Sequence, residues 1–167
     1  MTSGTKILGV TGGIVAVLII GKIGLGFLHQ PDDKTLILDA IKEAQKAGKE
    51  GRPGAVLDFF DFSKLKFNGE DAGFGGKEMA DYVKNSKPDI VFTTLEPIIT
   101  GENARIESSA TIKIAVGPFK KDVPISNVVI NLKKEIDREW FIIPKKTWKI
   151  TEIRASLDDL SSFSMGG

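Results

Sequence analysis

The chain contains no cysteine, so disulfides, thiolate metal sites and cysteine nucleophiles are all excluded. It has a single histidine, His29, which sits at the end of an apolar run, so no site in the remaining chain can be built on histidine. There is one tyrosine, Tyr82. Neither charge is in excess: 23 basic residues face 22 acidic ones, a net charge of +1. Nucleic-acid binding calls for a clustered basic surplus, and this balance gives it no support. No internal repeat is visible.

Against these absences stands one long apolar run. Ile7 to Leu28 reads ILGVTGGIVAVLIIGKIGLGFL and carries one charge, Lys22, near its C-terminal end. About 20 helical residues span the ~30 Å hydrocarbon core of a bilayer, so the run is long enough to cross one. Lys22 lies close enough to one end to snorkel to the headgroups. Two readings compete. A cleaved signal peptide would use Lys6 as its charged start, Ile7 to Ile20 as its core and Gly24-Leu25-Gly26 as its cut. Lys22 between core and cut, and apolar residues continuing to Leu28, favour a retained single-pass anchor. Gly9, Gly12, Gly13 and Ala16 give that helix a small-residue face on which another helix can pack. An N-terminal anchor of this kind is expected to leave the following domain on the extracytoplasmic side.

The residues after the run number about 135, the size of one ordinary domain. Asp32 and Asp33 mark a helix start, and Ile37, Ile41, Ala44 and Gly48 recur on one face up to a stop near Gly48 to Gly51. Pro53 opens a short apolar helix around Ala55 to Phe60. Ser63 to Asn68 is a short strand or an extended loop, and Asn68 to Gly76 is a glycine-rich loop. Lys77 to Lys87 is a second amphipathic helix, stopped by Pro88.

The period then changes from about 3.6 to 2. Asp89 to Thr100 is expected as one strand kinked or bulged at Pro97. Ala104 to Val116 is a long strand with Ile106, Ser108, Ala110, Ile112, Ile114 and Val116 on one face. Val123 to Glu135 is the next strand, followed by a turn at Asp137-Arg138-Glu139. The last strand runs through Trp140 to Ile143 and Thr147 to Ile153, broken or bulged at Pro144. Helices first and strands after predict an α+β domain: helices packed on a curved antiparallel sheet, a cone-shaped roll behind a transmembrane helix. The expected organisation is residues 1–30 as anchor, 31–155 as the α+β domain and 156–167 as a tail.

This order resembles the nuclear transport factor 2-like superfamily, whose cystatin-like α+β roll serves transport factors, polyketide cyclases and ketosteroid isomerases. The carrying residues are the helices Asp33 to Gly51, Ala55 to Phe60 and Lys77 to Lys87, the strands Asp89 to Thr100, Ala104 to Val116 and Val128 to Lys133, and Trp148-Lys149-Ile150 in the last strand. The resemblance implies a cone whose enzymatic members use a histidine–aspartate pair, or an aspartate base with tyrosine donors. It also implies that the sheet can serve a homodimer.

The residues themselves offer no such set. No catalytic, cofactor-binding or metal-binding group is nominated, and no cofactor is expected. Tyr82 reads as a packing residue with a wet hydroxyl. Asp58 and Asp61 read as surface or capping acids, and Glu96 and Glu107 as solvent-facing strand residues. Ala72-Gly73-Phe74-Gly75-Gly76-Lys77 fails the phosphate-loop spacing, because Asp71 stands at the first glycine and Glu78 at the hydroxyl position. The pairs Lys120-Lys121, Lys133-Lys134 and Lys145-Lys146 read as solvated rims. Phe59, Phe92 and Trp148 are the candidates to line or fill the cone. The expected function is a membrane-anchored, non-catalytic accessory or scaffold subunit. Its partners would be the lipid bilayer and other membrane-protein subunits. The alternative is a cone that binds a small apolar ligand or acts as a cyclase or isomerase.

Overall fold

The computed structural model describes residues 31–116, 119–139 and 143–156, with side chains described for 31–113, 122–136 and 145–156. The expected anchor, with Gly9, Gly12, Gly13 and Ala16, and the tail beyond 156 lie outside the described residues. Among the described residues no helix is long and apolar enough to cross a membrane. The chain divides into two compact units, Asp33–Ile136 with Lys146–Gly167, and Met1–Asp32 with Asp137–Lys145. Of the second unit, only residues 31–32, 137–139 and 143–145 are described, the last two groups as strand.

Helix α1 spans Asp33–Glu50. Asp33 in its first turn and Lys49 in its last both complement the helix dipole. Ile37, Ile41, Ala47 and Gly48 are its buried residues. Gly48 is buried where a Cβ would come within 3.1 Å of the Pro88 carbonyl oxygen, so glycine lets the backbones meet without displacing that carbonyl. The helix is closed by Gly51, whose φ of 69° is the left-handed C-terminal cap. Helix α2, Pro53–Leu57, has proline in its first turn, where the missing N–H is no loss. Helix α3 spans Gly76–Ser86. The Glu78 carboxylate accepts from the Gly75 N–H at 3.1 Å, and Lys87, left-handed at φ 43°, ends the helix before Pro88.

The strands are β1 (Lys66–Phe67), β2 (Glu70–Asp71), β3 (Asp89–Phe92), β4 (Ile98–Thr100), β5 (Asn103–Val116), β6 (Phe119–Glu139) and β7 (Ile143–Arg154). Their order is β2-β1-β7-β6-β5-β3, with β4 also on β5. The sheet is curved and unclosed.

Four expectations need correction. The sheet is mixed rather than antiparallel, because β1 lies parallel to β7 with Lys66 beside Glu152 and Phe67 beside Ile153. The glycine-rich loop begins as a hairpin: Asn68 and Gly69, both at positive φ, turn β1 onto β2, as an Asn-Gly pair favours. The expected kinked strand is two strands, both antiparallel to β5. Between them the Thr93 N–H donates to the Ser109 carbonyl at 2.8 Å, opposite a register shift in the β5–β6 ladder between Ser108 and Ala110. Lastly, Asp137–Glu139 is strand rather than turn, and β7 begins at Ile143 without a break at Pro144. Proline is tolerated near the first residue of a strand, where it interrupts the ladder least.

In β5 the even positions Ala104, Ile106 and Ala110 are buried, as the alternation predicts. They meet Val128, Ile130 and Leu132 of β6 and Trp148 and Ile150 of β7 beneath Ile37 and Ile41 of α1. A second cluster joins Ala47, Val56 and Val83, one from each helix.

Candidate functional site: an apolar cavity between helices and sheet

The helices do not pack down fully onto the sheet. A cavity of about 230 Å³ lies between them. Ile41, Ala44, Gln45 and Gly48 of α1 form one wall, Met79, Tyr82 and Val83 of α3 another, and Val56, Phe59 and Phe60 a third. The sheet contributes Ile90, Phe92, Ile130, Ile150 and Ile153. Phe59 and Phe92, two of the three residues expected to line or fill the cone, border this space without filling it. Trp148, the third, is buried elsewhere in the core and does not border it.

Among the described residues no aspartate, glutamate, lysine, arginine or histidine lines the cavity, and only Gln45 and Tyr82 bring polar side chains to it. The Gln45 amide donates to the Ile90 carbonyl at 2.6 Å, so one of its two N–H groups is committed to the edge strand β3. Tyr82 is half-exposed. General acid–base work needs a positioned titratable group within hydrogen-bond reach of the reacting atoms, and this wall supplies none but that phenol. It does offer burial for apolar surface.

The acids weighed in the sequence are placed elsewhere. Asp61 accepts from the Ser63 N–H at 3.1 Å and pairs with Lys64 at 2.6 Å, closing a local turn. Asp58 is exposed, and the Lys149 ammonium donates to its carbonyl oxygen. Glu96 pairs with Lys34 and Glu107 with Arg105 at exposed positions. Among the described residues no cluster of histidine, cysteine or carboxylate could hold a metal ion.

A second constellation was not nominated from sequence. Lys134, read there as rim, is largely covered, while Lys133 is exposed. The Lys134 ammonium lies 2.6 Å from the Asp33 carboxylate and 5.2 Å from the centroid of the Trp148 ring. The Trp148 indole N–H points at the other Asp33 oxygen at 3.4 Å. The three side chains pin the first turn of α1 to strands β6 and β7. The signal was available: Lys134 continues the inward parity of Val128, Ile130 and Leu132. The hydrogen bond from Lys134 holds the Asp33 carboxyl below the ordinary aspartate range, outweighing partial desolvation, with the Trp148 N–H and the charges of Lys134 and Lys146 adding to it. Asp61 is lowered by Lys64 and Glu152 by Arg154 in the same direction.

Asp33 therefore contributes stability that is complete above its unfolded pKa of about 3.9 and is lost as pH falls through its lower folded value. Lys134→Met is expected to cost about 1–2 kcal/mol at pH 7, because it leaves a partly covered carboxylate unpaired. The deficit should stay constant down to about pH 5 and shrink below pH 4. Urea midpoints of both proteins from pH 7 to pH 3 check this, and a deficit that grows on acidification would contradict it.

No protein-family model matches the chain, and no curated protein matches it. Solved structures do. The CaMKII hub of S. rosetta shares 15% identity over 76% of this chain and 98% of its own, with a TM-score of 0.56. A nuclear transport factor 2-like protein of Cytophaga hutchinsonii shares 12% over 75% and 98%, with a TM-score of 0.55. A protein of that superfamily from Salmonella enterica shares 14% over 74% and 89%, with a TM-score of 0.54. Likeness at this level of identity speaks for architecture and leaves activity open. The helices on a curved mixed sheet, with the cavity between them, are the nuclear transport factor 2-like fold.

Proposed function

We propose that this chain is a membrane-anchored, non-catalytic binding domain that serves as an accessory or scaffold subunit of a larger membrane assembly. The observation that carries the non-catalytic part is the cavity wall, which among the described residues holds no carboxylate, ammonium, guanidinium or imidazole group. The anchor is supported by the length and apolarity of Ile7 to Leu28. Residues 31–155 would then form the domain on the extracytoplasmic side and 156–167 its tail.

The partner-binding part has two supports. Gly9, Gly12, Gly13 and Ala16 give the anchor a face for another helix. Val91 and Ile98, 43% and 66% exposed, stand opposite Thr111 and Arg105 on the outer face of the sheet. That face would meet other subunits or a second copy. Two structural neighbours are described as a hub and as an association domain, which is consistent with self-association.

Deleting Ile7 to Leu28 is expected to move the protein from the membrane pellet to the soluble fraction. Recovery of the intact chain in the soluble fraction after lysis would contradict the anchor. A second reading, binding of a small apolar ligand in the cone, is favoured by the cavity and its apolar lining. The cyclase or isomerase form of that reading lacks the acid–base pair it needs.

A further inference from the structure

We propose that the cavity takes the hydrocarbon tail of an amphiphile, about eight to ten carbons long at interior packing density, with its polar end left beside Tyr82. This deepens the ligand-binding reading above and rests on it, but it does not depend on the anchor. The lining excludes the other chemistries. A charged or strongly polar moiety would meet a wall that is almost wholly apolar, with no charged side chain among the described lining residues and one N–H of the Gln45 amide already held by the Ile90 carbonyl. Five isoleucines, Ile41, Ile90, Ile130, Ile150 and Ile153, supply aliphatic walls on both sides. Met79 on α3 adds an unbranched, adaptable side chain that can follow a flexible guest. Tyr82, 49% exposed, lines the cavity and also reaches the surface, and it is the one hydroxyl-bearing side chain among the described lining residues. A tail inside and a head outside satisfies both ends.

The chain has three methionines, Met1, Met79 and Met165, and Met79 is the one among the described residues; it lies on the cavity. The test is methyl NMR of the full chain, labelled at the methionine methyls, in lipid nanodiscs titrated with 1-octanol. Met79 is expected to shift saturably, with half-saturation below about 1 mM, while Met1 and Met165 do not follow its curve. Ala44→Phe, which places a ring in the cavity, should weaken that response at least about tenfold. Val56→Phe serves the same purpose if Ala44→Phe does not fold.

No saturable Met79 shift up to the solubility of octanol would overturn the proposal, as would wild-type binding in a folded cavity-filled variant. Nanodiscs doped with phosphatidylcholine spin-labelled at the chain end separate the sources. Broadening of Met79 identifies a membrane lipid's own tail, and an octanol response without broadening identifies a free amphiphile. Loss of the octanol response in a membrane-bound chain sinks this proposal alone. A soluble chain that still binds octanol sinks only the anchor.

Discussion

Trp148→Ala is expected to remove about 4 kcal/mol of stability, most of what an ordinary domain possesses. Trp148 is 3% exposed and belongs to the main core cluster with Ile37, Leu132 and Ile150. Truncating it leaves a cavity that strands β6 and β7 cannot close. It also withdraws the indole N–H from Asp33 and the ring face from beneath the Lys134 ammonium, so the first turn of α1 loses two of its fastenings. Trp148→Phe separates these effects. It keeps much of the ring and is expected to cost about half as much, with the cation–π contact weakened and the hydrogen bond gone. Urea denaturation followed by far-UV circular dichroism measures both. A loss below about 1.5 kcal/mol for Trp148→Ala would mean that the ring is not the packing centre its burial indicates.

The second large effect is a contrast. Ile106 of β5 and Ile130 of β6 are directly opposite on the ladder, and they are 0% and 4% exposed. The same truncation at each removes the same atoms. Only Ile130 borders the cavity. Atoms facing a void have no partners on that side, so their removal forfeits fewer contacts. Ile106→Ala is expected to cost about 4 kcal/mol and Ile130→Ala about 2.5 kcal/mol. Equal costs, measured by the same denaturation, would mean that the space beside Ile130 is packed rather than open. The pair therefore tests the cavity without any ligand.

Much of the helical layer was legible because its signals are local. Asp33, Ile37, Ile41 and the glycines at 48 and 51 mark α1 from start to stop, Pro53 opens α2, and Pro88 stops α3. The inward parity of β5 was legible for the same reason. What escaped depends on partners far apart in the chain. Lys66–Phe67 is too short to show a period, and nothing local says that it will lie parallel to Glu152–Ile153. Asn68-Gly69 did carry its hairpin signal, hidden by the glycines after it. The site escaped for a further reason. Ile106 and Ile130 have the same chemistry and the same inward parity, so only the packing of helices on sheet distinguishes the one that borders open space. Lys134 looked like half of a charged rim because the lysine pair was read as a unit, although strand alternation sends its two members to opposite faces.

The central claim is that this domain works by binding, within an assembly, at a membrane. The most direct measurement is the native mass of the full chain extracted from membranes in mild detergent, with its co-purifying chains identified. The account predicts a membrane-derived species well above the 18.1 kDa of one chain, containing at least one other membrane protein. Recovery solely as a lone monomer or homodimer would contradict it.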